Sequence, residues 1–265
     1  MKKHASSLLL ISTLCATPVL SETASRTTVG LGMDYTSGHY GSTQLTESLT
    51  LPISIKHENG PWSLKASLPW VSTTGTFSRD AGVTECHKSG TVCTTTTTTT
   101  QQSTTESGMG DLTLSAFRNL VDTPDGFLFD AGLKAKLATA DKTKTLISSG
   151  ENDYSIQGDF AQSIGKSGSL ISSVGWTKKG DTATSNFLNP LYGTFGASVS
   201  FDAGTLGATW DFRQKTTKKG QPVSEVSLFY SARLSVSRRL QIYVLKGLAE
   251  GSPDQGGGLA WSNRF

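Results

Sequence analysis

The chain has 265 residues, 35% hydrophobic and 17% charged with 28 glycines, a balance that folds and is too apolar for a disordered protein. Formal net charge is +3, and +1 once Lys2 and Lys3 of the leader are set aside, which leaves no electrostatic footprint for nucleic acid or an anionic membrane surface. No uninterrupted apolar run, Leu8 to Ile11 included, exceeds four residues, whereas a helix crossing a bilayer needs about 20 largely apolar residues, so a helical membrane protein is excluded.

Residues 1–21 read as a signal peptide. Lys2 and Lys3 form its basic start, Leu8 to Leu20 its apolar stretch, and Val19 and Ser21 meet the small-residue rule for cleavage after Ser21. Leu14 stands before Cys15 where lipoprotein cleavage wants a small residue, so Cys15 is not read as a lipid anchor. The remaining 22–265 keep two cysteines, Cys86 and Cys93, expected to form a disulfide in an exported chain. Closing a loop of about eight residues contributes roughly 2.5 kcal/mol.

From there the sequence alternates with period two. In 27–35 Val29, Leu31, Met33 and Tyr35 share one face, and in 45–56 Leu45, Leu49, Leu51, Ile53 and Ile55 do so. In 62–70 the set is Trp62, Leu64, Ala66, Leu68 and Trp70; after 111–118 comes the clearest case, 127–137, with Phe127, Phe129, Ala131, Leu133, Ala135 and Leu137. Segments 154–163, 169–176, 193–201, 205–213, 223–235, 240–246 and 257–265 follow the same rule, though Ile171 is out of phase. Strict alternation marks strands with two unlike faces. The count is twelve.

Connections alternate in length. Long ones fall at 36–44, 71–110, 138–153, 177–192, 214–222 and 247–256, and short ones at 57–61, 119–126, 165–168, 202–204 and 236–239, several with turn chemistry such as Asn59-Gly60-Pro61 and Pro124-Asp125-Gly126. The expected fold is all-β: a transmembrane, antiparallel, up-and-down β-barrel of about 12 strands in the bacterial outer membrane, with turns in the periplasm and loops outside. In lipid only a closed sheet pairs every backbone N–H and C=O.

The polar face supplies the candidate lumen-lining residues: Asp34, Lys65, Asp111, Asp130, Lys134, Lys136, Asp159, Asp211, Arg213, Arg233 and Arg264, together with Lys56. The opposite face is nearly uncharged, with Glu47, Arg118, Glu225 and Lys246 read as exceptions near strand ends. A soluble sandwich would also alternate, but would not segregate charge so fully. Aromatics such as Tyr35, Trp62, Trp70, Tyr154, Trp176, Phe201 and Phe212 gather toward strand ends, as interfacial girdles require. The lumen charges fit either a salt-bridged, hydrated filling or a narrow pore whose charges tune selectivity. Segment 71–110 is read as a long extracellular loop clipped by the disulfide. Its seven threonines, Thr94 to Thr100, suit a solvated loop or a protruding ribbon, and a plug or a partner-contacting tip stays open.

The end of the chain, Gly256 to Phe265, alternates up to a terminal aromatic. It resembles the signal that outer-membrane proteins present to the barrel-assembly machinery, with Trp261 and Phe265 as the corresponding residues. The segment Gly108-Met109-Gly110-Asp111-Leu112-Thr113-Leu114 resembles the strand opening of outer-membrane transporters grouped with phenol-degradation (meta-pathway) proteins. That resemblance implies a barrel of this size, surrounded by lipid and lipopolysaccharide and linked to uptake of hydrophobic or aromatic compounds. The expected function is therefore a channel for passive diffusion of small solutes. The alternative is a non-transporting surface barrel whose loops bind a partner, as an adhesin or receptor does. An enzyme comes last: among His39, His57 and His87, only His39 sits where Asp34 or Ser42 could join it. No phosphate loop, zinc spacing or nucleotide fingerprint appears, so no cofactor, metal or nucleic-acid partner is expected.

Overall fold

The structure, a computed structural model, describes residues 25–86, 93–182 and 187–265, with side chains outside 76–102. The expected signal peptide, the side chains of Cys86 and Cys93, and His87 lie outside the described residues. Thirteen strands follow in chain order: β1 (Arg26–Gly38), β2 (Thr46–Asn59), β3 (Trp62–Cys86), β4 (Cys93–Met109), β5 (Leu112–Asp122), β6 (Phe127–Leu137), β7 (Asp153–Ile164), β8 (Gly168–Lys178), β9 (Leu191–Phe201), β10 (Gly204–Arg213), β11 (Val223–Arg233), β12 (Arg238–Gly247) and β13 (Gln255–Arg264). No helix among the described residues is long and apolar enough to cross a membrane.

Twelve of these strands close on themselves. Each pairs antiparallel with its sequence neighbour, β3 pairs with β5, and β1 returns to β13 over Thr28↔Arg264 to Ser37↔Gln255. An even strand number is what permits antiparallel closure, so no edge is left unpaired around the ring. The short turns gather at one rim, Gly126 with φ 83° among them, and the long connections at the opposite rim.

Segment 71–110 takes the ribbon form, one of the readings its threonines left open. β3 leaves β5 after Ser67↔Thr113 and continues, unbroken, paired with β4 from Trp70↔Met109 to Cys86↔Cys93. The reason lies in composition: hydrophobic alternation stops at Trp70, but threonine and serine form strands that tolerate water on both faces. The 17 paired positions make a ribbon roughly 50 Å long at about 3.3 Å per residue. Its register sets Cys86 opposite Cys93, the arrangement a cross-strand disulfide would need.

Packing is inverted relative to a soluble barrel. Leu133 is 62% exposed and Val244 61%, while Thr36 is 0% exposed and Thr209 2%. Large apolar side chains cover the outside on every strand of the ring, far beyond the patches that a water-soluble monomer presents. Aromatic contacts on this face, Phe129 stacked on Phe160 at 4.7 Å and Phe201 on Tyr230 at 6.0 Å, lie toward the short-turn rim, where Arg118 also sits 5.5 Å over the Trp62 ring. Trp210 and Phe212, 5.4 Å apart, lie toward the long-loop rim. Glu47 and Lys246 are on the outer face, and Tyr35 hydroxyl donates to Glu47. Glu225 is not. It opposes Asp211 across β10 and β11 and shares the inward phase of Ser227 and Phe229, correcting its assignment to the apolar face. Ile171 also points inward, where a Cβ added to Gly196 would approach it at 3.2 Å.

Candidate solute path

The inner wall begins with one hydrogen-bonded row of residues. Lys56 opposes Lys65, Lys65 opposes Ser115, Ser115 opposes Lys134, and Lys134 opposes Ser155, so three lysines stand on one side of the lumen. Lys56 ammonium donates to Glu58 at 2.7 Å. Asp130 and Asp159 oppose each other directly, and each accepts from an amide rather than from a cation: Asn119 Nδ2 at 2.7 Å and Gln157 Nε2 at 2.5 Å. Gln157 Oε1 in turn accepts the Tyr192 hydroxyl at 2.7 Å.

Four aromatic side chains share the inner wall, and each lies opposite a glycine. The pairs are Phe117 with Gly132, Tyr192 with Gly175, Phe229 with Gly207, and Tyr243 with Gly258. A Cβ built on any of these glycines would overlap the facing ring at under 3 Å. Each ring therefore lies flat over the neighbouring strand's bare backbone, the packing that cross-strand aromatic–glycine pairs provide. Flat rings keep the lumen wide where upright ones would fill it. Tyr243 hydroxyl also donates to Asp34 at 2.5 Å across Gly258.

Toward the long-loop rim the charges pair. Lys136 Nζ lies 2.7 Å from Asp111 and 3.5 Å from Asp153, which also holds Lys179 at 2.5 Å. Asp211 accepts Thr194 Oγ1 at 2.5 Å and Thr209 Oγ1 at 3.0 Å. Arg213, half-buried, opposes Tyr192. Arg233 and Arg264 share the inward phase but lie exposed at the short-turn rim, where Arg264 Nη2 donates to Val236 O at 3.2 Å.

Connection 138–152 folds back over the mouth. Ala140, Leu146, Ile147 and Ser148 are buried in it, the last donating from Oγ to Asp111 at 2.5 Å. Asp111 also accepts the Ala140 N–H at 3.1 Å. Leu146 N–H donates to Glu106 at 2.7 Å, Lys144 Nζ donates to Ser107 O, and a Leu146 methyl lies 3.7 Å from where a Cβ on inward-facing Gly75 would stand. The Gly108-Met109-Gly110-Asp111 segment thus has a local explanation. Gly108 leaves room for the Lys144 chain, Gly110 N–H donates to Pro69 O at 2.8 Å, and Asp111 binds the connection.

Sequence reading missed Phe117, Tyr192, Phe229 and Tyr243, because phase alone shows a ring pointing inward but not the glycine that lays it flat. It also left Lys179 and 138–152 in an undifferentiated loop. The candidate catalytic set does not assemble: His39 Nδ1 meets Asp254 Oδ2 at 2.6 Å, Asp34 is bound by Tyr243, and Ser42 Oγ donates to Gln44 O. His57, at the short-turn end of β2, meets Thr27 Oγ1 at 3.0 Å. Among the described residues no group of three or more His, Cys, Asp or Glu is arranged to hold a metal.

No family model and no curated protein matches the chain. Among solved structures, an outer-membrane channel from Pseudomonas putida F1 superposes with a TM-score of 0.65 at 13% identity, over 93% of this chain and 97% of that one. The KdgM porin superposes at 0.53 and 11% identity, over 90% and 99%. The same porin in complex with disordered oligogalacturonate gives 0.52 and 10% identity over the same shares. At such identities what is shared is the fold: a closed antiparallel barrel of the kind that crosses the bacterial outer membrane.

Proposed function

We propose that this chain is a bacterial outer-membrane channel through which small solutes diffuse down their gradients. The observation that carries the reading is the radial inversion: apolar residues cover the outside while charged and hydroxyl side chains line the inside, the arrangement that hydrocarbon outside and water inside select. The short-turn rim then faces the periplasm and the ribbon rises outside the cell. The solved neighbours named channel and porin support the same reading. The flat aromatic rings of the lumen favour aromatic or hydrophobic solutes, in keeping with the resemblance around Gly108 to Asp111. Export through residues 1–21, oxidation of Cys86 with Cys93, and assembly through Trp261 and Phe265 complete the proposal, with lipid and lipopolysaccharide as the surroundings. Purified protein in planar bilayers tests it: steps of conductance are expected, and a silent bilayer or absent solute flux in liposomes overturns it.

The length of the ribbon favours a second reading, in which the tip binds a partner. Removing 78–101 and joining Phe77 to Gln102 by an Asn-Gly turn, which the register permits, keeps Glu106 and Ser107 in place. The shortened protein is expected to fold and conduct, because the removed pairs lie beyond the closed ring. Folding is read from the mobility difference between heated and unheated samples on a gel, and conduction from bilayer recordings; an unfolded product would make the ribbon part of the barrel's core.

Gly175→Ala pushes Tyr192 off the wall and into the lumen, since the new methyl would occupy the space of its ring. Single-channel conductance is expected to fall, and Tyr192→Ala in the same chain to restore it. An unchanged conductance in Gly175→Ala would mean that Tyr192 does not narrow the path.

A further inference from the structure

Lys65 and Lys134 differ from the other inward lysines. Lys56, Lys136 and Lys179 each have a carboxylate within 4 Å, whereas among the described residues none lies that close to Lys65 or Lys134. The two stand two residues apart along one hydrogen-bonded row, with only Ser115 between them. Asp159 and Asp130, the carboxylates at mid-height, accept from the amides of Gln157 and Asn119 rather than from either lysine. Both lysines are half-buried in the wall. Two like charges in a partly desolvated space repel, and the Asp159 charge reaches Lys134 only from beyond ion-pair distance, so an anion from solution gains more there than at an exposed lysine.

Aromatic faces complete the environment. Lys134 ammonium lies 5.7 Å from the centre of the Phe117 ring and 5.8 Å from that of Tyr192. Both rings are held flat by Gly132 and Gly175, so their faces rather than their edges meet the lumen. A bare inorganic anion would use the two ammonium groups alone. A planar organic anion uses the ammonium groups through its charged head and the rings through its body.

We propose that Lys65, Lys134, Phe117 and Tyr192 form a binding site for small aromatic carboxylates within the lumen. The site rests on the channel reading and narrows it: the solute's carboxylate sits between the two lysines and its ring lies against Phe117 or Tyr192. At the outer mouth Asp111 and Asp153 are offset by Lys136 and Lys179, while Asp211 accepts from the hydroxyls of Thr194 and Thr209, so two of these three carboxylates on the approach carry a paired cation.

Benzoate, cyclohexanecarboxylate, acetate and toluene are the probes. In bilayers under a potassium chloride gradient the wild type is expected to prefer chloride, and Lys65→Gln/Lys134→Gln to lose that preference. Benzoate is expected to interrupt the wild-type current at lower concentration than cyclohexanecarboxylate, with acetate and toluene without effect. Phe117→Leu/Tyr192→Leu is expected to weaken benzoate by about fivefold to tenfold while keeping chloride preference. Calorimetric titration of the detergent-solubilised protein with benzoate reads the site without conduction. Benzoate binding lost in the lysine double variant supports the site even if bilayers stay silent, in which case only the channel reading falls. Equal benzoate binding by wild type and a folded Lys65→Gln/Lys134→Gln protein overturns the site while leaving any conductance intact, and so does equal potency of benzoate and acetate. Gel heat-modifiability establishes that each variant is folded before it is scored.

Discussion

Leu133→Arg is expected to destabilise the barrel by about 2–4 kcal/mol, the penalty for arginine facing lipid at mid-membrane. Leu133 is the most exposed large apolar residue of β6 and stands between Ala116 and Ile156 on its neighbours, with apolar side chains on both sides and no rim close by. The adjacent residue makes the control. Lys134→Ala changes the opposite face and removes an ammonium without a carboxylate partner, so folding is expected to persist. Urea unfolding in detergent or lipid vesicles, with heat-modifiability as a second readout, compares the two. Equal damage from both substitutions would invert the assignment of inside and outside, and with it every statement about the path.

Asp111→Ala is expected to free connection 138–152 from the mouth without opening the barrel. Its carboxylate receives three groups: Lys136 Nζ, Ser148 Oγ and the Ala140 N–H. Losing it leaves buried donors without their acceptor, at about 1–3 kcal/mol each when they stay unsatisfied. Lys136 keeps Asp153 and Glu151 O, so the strain falls mainly on Ala140 and Ser148, both in the connection. The connection therefore lifts rather than the strand unpairing. Larger or noisier single-channel currents and faster proteolysis within 138–152, at unchanged barrel stability, are the expected readouts. A variant with wild-type currents and wild-type proteolysis would mean that the buried Leu146 and Ile147 hold the connection unaided.

How much of this was legible beforehand follows from periodicity. Period-two alternation in 127–137 fixes both the strand and its faces, because a strand's side chains can only alternate, and β6 occupies those same residues. The ring of twelve follows from counting such segments. The thirteenth strand was not countable, since Thr94 to Thr100 carry no alternation and give no face to either side. Glu225 shows the converse: read as an exception on the apolar face near a strand end, it has the parity of Phe229, opposite to Val226 and Leu228, and points inward. The path was less legible than the wall. Lys65 and Lys134 are eye-catching only once β5 sets Ser115 between them, and the Tyr192–Gly175 pair exists only through the β8–β9 register. Such pairings join residues that the sequence separates, and no local pattern announces them. Connection 138–152 is similar, its anchors Glu106 and Asp111 being more than twenty residues upstream.

β3 crosses from barrel to ribbon without a hinge, and only its partner changes, from β5 to β4 at Gly110. Wall and ribbon are therefore one continuous strand, and the ribbon's foot carries the two groups, Glu106 and Ser107, that hold Leu146 and Lys144. The root of the projection and the segment lying over the opening share these bonds, so a displacement of one is felt by the other.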